Sequence, residues 1–310
     1  TLRVVKDIWE YYGKGEENLK SKKIGLYIVL LGLFVFLYPQ IKAVGRDIMM
    51  FSDIKNYGNS KLNDFEHIKN IEKIIKSDKI INGNIIDVFS NNIKDKNETN
   101  LEDEHIGHVY IPKIGLTYKL YNKANLKKLE KGVAVLEGSS IPNDNEENRT
   151  IIAGHNMWQG TAIFRDIKDL KQGDKVYVHS LRSNYEYEVT DFKVIDQYDN
   201  ESISVIKNMN ILTLLTCVND SKFDKRYIVN LKLTNVKTAT MNSQNLEENG
   251  KLFQGFEINP PKSLVDYIFD KNISSWQKMI RFQPYFFSIV TVVIIFFVFI
   301  KILRVTKLVQ

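Results

Sequence analysis

The chain has only one cysteine, Cys217, among its 310 residues. A single thiol excludes an internal disulfide and any metal site built on several cysteines, and it leaves that thiol free for chemistry. Glycine and proline are sparse, at 16 and 6 residues, which excludes fibrous and low-complexity classes. No glycine-rich phosphate loop and no metal-ligand cluster is present, so no cofactor and no metal is expected. The net charge is +6, but lysine and arginine are interleaved with acids and form no stripe with aromatics, which argues against a nucleic-acid partner. No Asp-Pro dipeptide and no internal repeat occurs anywhere.

Two uncharged windows stand out instead. Ile24 to Ile41 and Phe282 to Ile300 each approach the ~20 apolar residues that cross a bilayer. The second, flanked by Arg281 and Lys301, lacks the polar face of a core helix. The first also resembles a signal peptide, with Lys20, Lys22 and Lys23 ahead of it and Ala43-Val44-Gly45 as a cleavage candidate. Its length, and Lys42 beside the cut, favour an uncleaved anchor. Two spans place both ends on one side of the membrane. Lys301, Arg304 and Lys307, with no acid nearby, favour a cytoplasmic C-terminus. The chain starts at Thr1 rather than Met, which suggests a trimmed sequence.

Between the spans, Leu62, Phe65, Ile68, Ile71, Ile74 and Ile75 recur at helical spacing, predicting a helix over Leu62–Ile81 that packs on the following domain or shields its site. Ser90 to Glu104 is polar and charged and reads as a linker. Short strand-like runs follow at Gly107–Ile111, Gly132–Leu136, Thr150–Ala153, Lys175–His179, Tyr185–Thr190, Ile211–Val218 and Arg226–Leu233. Ala162–Leu170 and Asn122–Leu129 read as helical inserts, and Asn235–Leu252 as a second linker. This frequency of strands predicts a mainly β fold, a closed or nearly closed barrel.

The thiol closes the apolar run Ile211 to Val218, a polar break covers Asn219 to Lys225, and an alternating run opens with Arg226. That pattern reads as a hairpin, which would set Cys217 and Arg226 ~4.5–8 Å apart if they are opposite one another. Upstream, Arg149 to Ala153 is a short apolar strand ending in Gly154-His155-Asn156. His67, His105, His108 and His179 lack such a frame. Alone, a cysteine at a strand end is usually a small buried apolar group, and Arg226 could simply pair with Asp220 or Asp224. The three together, in this order, point to a thiol nucleophile, a base and a cation.

These motifs carry a family resemblance. Thr213-Leu214-Leu215-Thr216-Cys217 resembles the TLxTC signature of sortases, with Arg226 where sortases carry their arginine and Gly154-His155 like their histidine segment. His105 to Gly115 resembles the sortase opening strand, and Gly132 to Pro142 the segment ahead of the histidine strand, particularly in pilin-polymerising (class C) sortases. The resemblance covers about residues 105–234. It implies a sortase-type closed β-barrel with short helical inserts, flanked by two transmembrane helices. The implied organisation is a cytoplasmic segment 1–23, a span 24–41, an extracellular helical region and linker 42–104, a catalytic barrel 105–235, a linker 236–281, a span 282–303 and a cytoplasmic tail 304–310. It further implies an extracellular catalytic domain on the plasma membrane of a Gram-positive bacterium.

The resemblance also assigns roles. Cys217 would attack the carbonyl of an LPxTG-like sorting signal and form a thioacyl intermediate. His155 would protonate the leaving amine and deprotonate the incoming one. Arg226 would hold the peptide and its oxyanion, Thr216 would donate a supporting hydrogen bond, and Asn156 would orient His155. At reference values only ~3% of cysteines are thiolate and ~24% of histidines protonated at pH 7, so proximity to His155 and Arg226 is expected to favour the charged pair. The partners implied are surface proteins or pilins bearing the signal, and an amine from a pilin lysine or a cell-wall cross-bridge. His155-Asn156-Met157 and Asp224-Lys225-Arg226-Tyr227 look more like class B members, which anchor single proteins. Class C members often plug their site with an Asp-Pro-aromatic motif, which this chain lacks. A membrane-bound cysteine protease using water, or a non-catalytic peptide-binding scaffold, are the other readings.

Overall fold

The computed structural model describes residues 2–60, 85–89, 105–156, 163–180, 183–220, 224–238, 256 and 260–307. The Leu62–Ile81 helix and the Ser90–Glu104 linker expected from sequence lie outside these residues. Two compact units are present, one formed by Thr1–Arg46 and Met279–Gln310, the other by Asp47–Lys278.

The first unit is built from most of two long helices, α1 (Leu2–Ser60) up to Arg46 and α4 (Ser275–Lys307) from Met279. Stretches Ser21–Lys55 and Ser275–Val305 are long and apolar enough to cross a membrane. Val35 and Phe297 keep 68% and 63% of their surfaces exposed. Apolar residues are exposed along both helices, which makes them candidate membrane spans. Within the unit, Phe36 meets Phe287 edge to face, with ring centroids 6.3 Å apart.

The second unit is a closed β-barrel of eight described strands: β1 (His105–Ile111), β2 (Leu116–Tyr121), β3 (Val133–Val135), β4 (Asn148–Ala153), β5 (Lys175–Ser180), β6 (Ser183–Asp196), β7 (Asn210–Cys217) and β8 (Lys225–Thr238). Around the wall they run β1-β2-β3-β4-β7-β8-β6-β5, and β5 closes onto β1. Two neighbouring pairs are parallel, β2 with β3 and β4 with β7. A closed wall leaves no sheet edge for another chain to pair with.

Alternation of side chains separates two apolar layers. Every strand contributes to the interior, including Val109, Leu120, Val133, Ile152, Val178, Tyr187, Leu212, Leu214 and Val229. Outside the β3–β4–β7–β8 wall lies a second layer of Leu136, Ile151, Ala153, Leu215 and Ile228, covered by Ile203 and Leu129. Leu129 belongs to α2 (Leu126–Lys131), whose start is capped by the Asn125 side chain accepting from Lys128 N–H at 2.8 Å.

Several local expectations differ from the structure. Strand β2 was not foreseen. The helix expected over Ala162–Leu170 is a 3-10 turn at Arg165–Asp169, whose Ile167 plugs the barrel interior. Residues 235–238 of the expected second linker are the end of β8, and the stretch 236–281 contains α3 (Leu264–Phe269) and the start of α4. Tyr267 of α3 packs with Met50, Phe51 and Ile54 of α1, which explains why that polar-flanked segment is ordered.

Candidate active site

Strand pairing brings three side chains to one end of the barrel. In the parallel β4–β7 pair, Ala153 aligns with Leu215. Two residues further along each chain are His155 and Cys217. In the antiparallel β7–β8 pair, Cys217 is the direct Cα partner of Arg226. Alternation puts Cys217 on the face of Leu215 and Thr213, and Arg226 on the face of Ile228 and Asn230. Leu215 and Ile228 belong to the outer layer, so thiol and guanidinium share the outer face of the wall.

The exit from β4 is held tightly. Gly154 N–H donates to the Leu215 carbonyl at 3.1 Å, and Thr216 Oγ1 donates to the Gly154 carbonyl at 2.7 Å. A Cβ on Gly154 would come within 2.7 Å of the Phe164 ring, so only glycine fits there. Asn156 Nδ2 donates to the Cys217 carbonyl at 2.8 Å. Thr216 and Asn156 thus both stitch the histidine turn to the cysteine strand, and the bond that Asn156 makes is to Cys217.

Arg226 is the largest fully buried side chain among the described residues, at 1% exposure. Its Nε donates to Asp87 Oδ2 at 2.7 Å, Nη1 to the Lys225 carbonyl at 2.9 Å and Nη2 to Gln197 Oε1 at 3.1 Å. Asp87 lies in the short described segment Ile85–Phe89, tethered by Ile86 N–H to the Glu137 carbonyl at 3.0 Å. Val88 is buried in the outer apolar layer, and Ile85 and Phe89 pack against it. The Phe89 ring lies 5.7 Å from the Arg226 guanidinium carbon and 5.6 Å from the His155 ring. Sequence reasoning missed this segment because it looked for proline after the acid. The acid-x-aromatic spacing, with an apolar residue between, was the available signal.

The electrostatics favour a neutral pair in this arrangement. Burial pushes the Cys217 thiol up to about 11; the Asp87 carboxylate adds to that, and Arg226 opposes it. Burial also lowers the His155 pKa, with Glu130 opposing. The charged pair expected from proximity is therefore outweighed by desolvation.

Behind the site lies a buried polar cluster that the sequence did not announce. Arg149 Nε donates to Thr213 Oγ1 at 3.0 Å, Nη1 to the Ser204 carbonyl at 2.6 Å and Nη2 to Asn230 Oδ1 at 2.7 Å. Asn230 Nδ2 continues to Asp191 Oδ1 at 2.9 Å. Thr213 and Asn230 are Cα partners four residues from Cys217 and Arg226 on the same strands and face. The cluster ties β4, β6, β7, β8 and the β6–β7 connection together below the site.

Comparison with known proteins agrees with the closed barrel. Residues 109–234 match the family described as Sortase domain. The chain carries a sortase domain. It is 26% identical over 227 residues to Sortase A of Listeria monocytogenes, covering 73% of this chain and 96% of that one. It is 31% identical over 124 residues to Sortase A of Bacillus anthracis, covering 40% of this chain and 57% of that relative. Among solved structures, Sortase C of Streptococcus pneumoniae, described with pilin substrates, aligns at TM-score 0.51 and 26% identity, over 61% of this chain and 100% of that one. Sortases are cysteine transpeptidases, and this chain carries one cysteine. Among the described residues no group of histidine, cysteine and carboxylates could hold a metal ion.

Proposed function

We propose that this chain is a membrane-anchored transpeptidase in which Cys217 is the nucleophile, His155 the acid and base, and Arg226 the oxyanion and peptide binder. The observation that carries the reading is that Cys217 is the cross-strand partner of Arg226, while Gly154 and Asn156, on either side of His155, are hydrogen-bonded to the Leu215, Thr216 and Cys217 stretch. From the resting neutral pair, His155 takes the Cys217 proton as the peptide enters, and the resulting thiolate attacks the scissile carbonyl of a sorting signal of LPxTG type. The developing oxyanion accepts from Arg226 N–H groups. Protonated His155 gives its proton to the departing amine, leaving a thioacyl enzyme and a neutral imidazole. An incoming amine then attacks the thioester carbonyl, His155 takes the proton, and the thiolate departs. Thr216 and Asn156 keep the histidine turn against the cysteine strand. The two apolar helices anchor the catalytic unit on the outer face of the plasma membrane.

Asp87 and Phe89 occupy this site at rest. Asp87 uses the Arg226 Nε–H that the peptide needs, and Phe89 covers His155. The arrangement does the work of the Asp-Pro-aromatic plug with valine in place of proline. This favours joining of pilins over anchoring of single proteins. The decisive experiment is mass spectrometry of the full chain in detergent micelles with an LPxTG-type peptide and competing amines, a pilin-derived lysine peptide and a cell-wall cross-bridge peptide. Transfer to the lysine peptide, absent in Cys217→Ala, supports the pilin reading. Transfer to the cross-bridge alone supports single-protein anchoring, and hydrolysis with no transfer supports a protease.

A further inference from the structure

Arg226 is held by acceptors of two kinds. Asp87 belongs to the Ile85–Phe89 segment that covers the site, and its carboxylate takes the Nε–H. The other two belong to the barrel. The Lys225 carbonyl takes Nη1–H, and Gln197 Oε1 takes Nη2–H at 3.1 Å. Gln197 directly follows β6, whose Ile195 and Asp196 pair with Arg226 and Lys225. Its own N–H donates to the Asp224 carbonyl at 2.8 Å, so its backbone is tied to the residue that leads into β8. Gln197 is therefore fixed to the strand that carries the cation, at the point where that cation faces the thiol.

We infer that Gln197 is a positioning residue that keeps the Arg226 guanidinium aimed at the Cys217 end of the barrel once Asp87 has withdrawn, and that its neutrality leaves the positive charge available to the oxyanion. This rests on the reading of Arg226 given above. When a peptide displaces Asp87, Nε loses its acceptor. A guanidinium held only through its flexible stem would lose orientation, whereas two barrel acceptors on Nη1 and Nη2 fix its plane and leave Nε directed at the ligand. A carboxylate at position 197 would hold the plane equally well. It would also form a permanent ion pair, weakening the donor toward the substrate and loading negative charge beside the thiol. An amide supplies the orientation without the charge.

The experiment uses the full chain in detergent micelles in an Asp87→Asn background, which removes the Asp87 charge from the guanidinium. Gln197→Glu and Gln197→Ala are compared with that parent by iodoacetamide alkylation of Cys217 across pH and by kcat and KM for peptide transfer. Q197E is expected to move the alkylation profile up by about one pH unit, roughly 10-fold less reaction near neutrality. Q197A is expected to leave the profile within about twofold but to lower kcat roughly 10- to 100-fold, more than it changes KM. An unmoved profile in Q197E, or parental kcat in Q197A, overturns the inference. The alkylation arm needs no peptide, so an incorrect sorting motif does not block it. Arg226→Ala separates the two levels: if it remains fully active, the role given to Arg226 fails and that of Gln197 with it, whereas an inactive R226A beside an active Q197A sinks the Gln197 role alone.

Discussion

Asp87 Oδ2 lies 2.7 Å from Arg226 Nε, and Arg226 is the cross-strand partner of Cys217. One carboxylate thus occupies a donor of Arg226 and disfavours ionisation of the thiol beside it. Replacing it with alanine or asparagine is expected to speed alkylation of Cys217 near pH 8 by roughly 10-fold, through a downward shift of the thiol midpoint. A midpoint that stays in place in D87N would show that the carboxylate does not act on the thiol.

Phe89 acts by bulk instead of charge. Its ring lies against both His155 and the Arg226 guanidinium. In Phe89→Ala, alkylation should accelerate by a similar factor at every pH while the midpoint stays put. Comparing the two pH profiles distinguishes cover from electrostatics, and an F89A profile displaced like that of D87N would contradict the division.

Arg149 should matter for stability. It is 3% exposed, and its guanidinium donates to acceptors on β7, β8 and the β6–β7 connection. Arg149→Met removes three donated bonds and the buried cation near Asp191, leaving Thr213 Oγ1 and Asn230 Oδ1 with their mutual bond, at a cost of about 2–4 kcal/mol. Thermal unfolding of the solubilised chain measures this. A loss under about 1 kcal/mol would show that the cluster is not holding the strands together.

His179 supplies a pH dependence far from the site. Burial pushes its pKa down to about 4, although Asn184, 2.6 Å from Nδ1, opposes the shift. The folded state therefore holds the neutral ring, so its contribution is complete above the unfolded value near 6.5 and is lost as pH falls toward 4. The full difference is on the order of 3 kcal/mol. Wild-type chain should lose more apparent stability between pH 7 and pH 4.5 than His179→Gln. Parallel pH profiles for the two proteins would remove His179 as the cause.

The residues proposed to carry the chemistry were legible locally. A lone thiol in Thr213-Leu214-Leu215-Thr216-Cys217, a glycine-histidine strand exit and an arginine opening the next alternating run each have a pattern spanning a few residues. So do the two apolar windows, because length and lack of charge are sufficient to mark them. The hairpin placing Cys217 opposite Arg226 was also within reach, since its strands adjoin in sequence. The alternation of apolar residues marked most strands, but missed β2, whose Leu116-Thr117-Tyr118-Lys119-Leu120-Tyr121 has only a weak period.

Tertiary structure decided the rest, because a period of two reports which face a residue takes and not which strand it meets. The parallel pairing of β4 with β7 joins segments whose Thr216–Gly154 bond spans 62 positions, and it brings the turn that carries His155 to the cysteine strand. Asp87 reaches Arg226 across 139 positions, and Arg149 reaches Asn230 across 81. No local pattern encodes such partners. They are selected when the chain closes its barrel and every buried charge must find an acceptor.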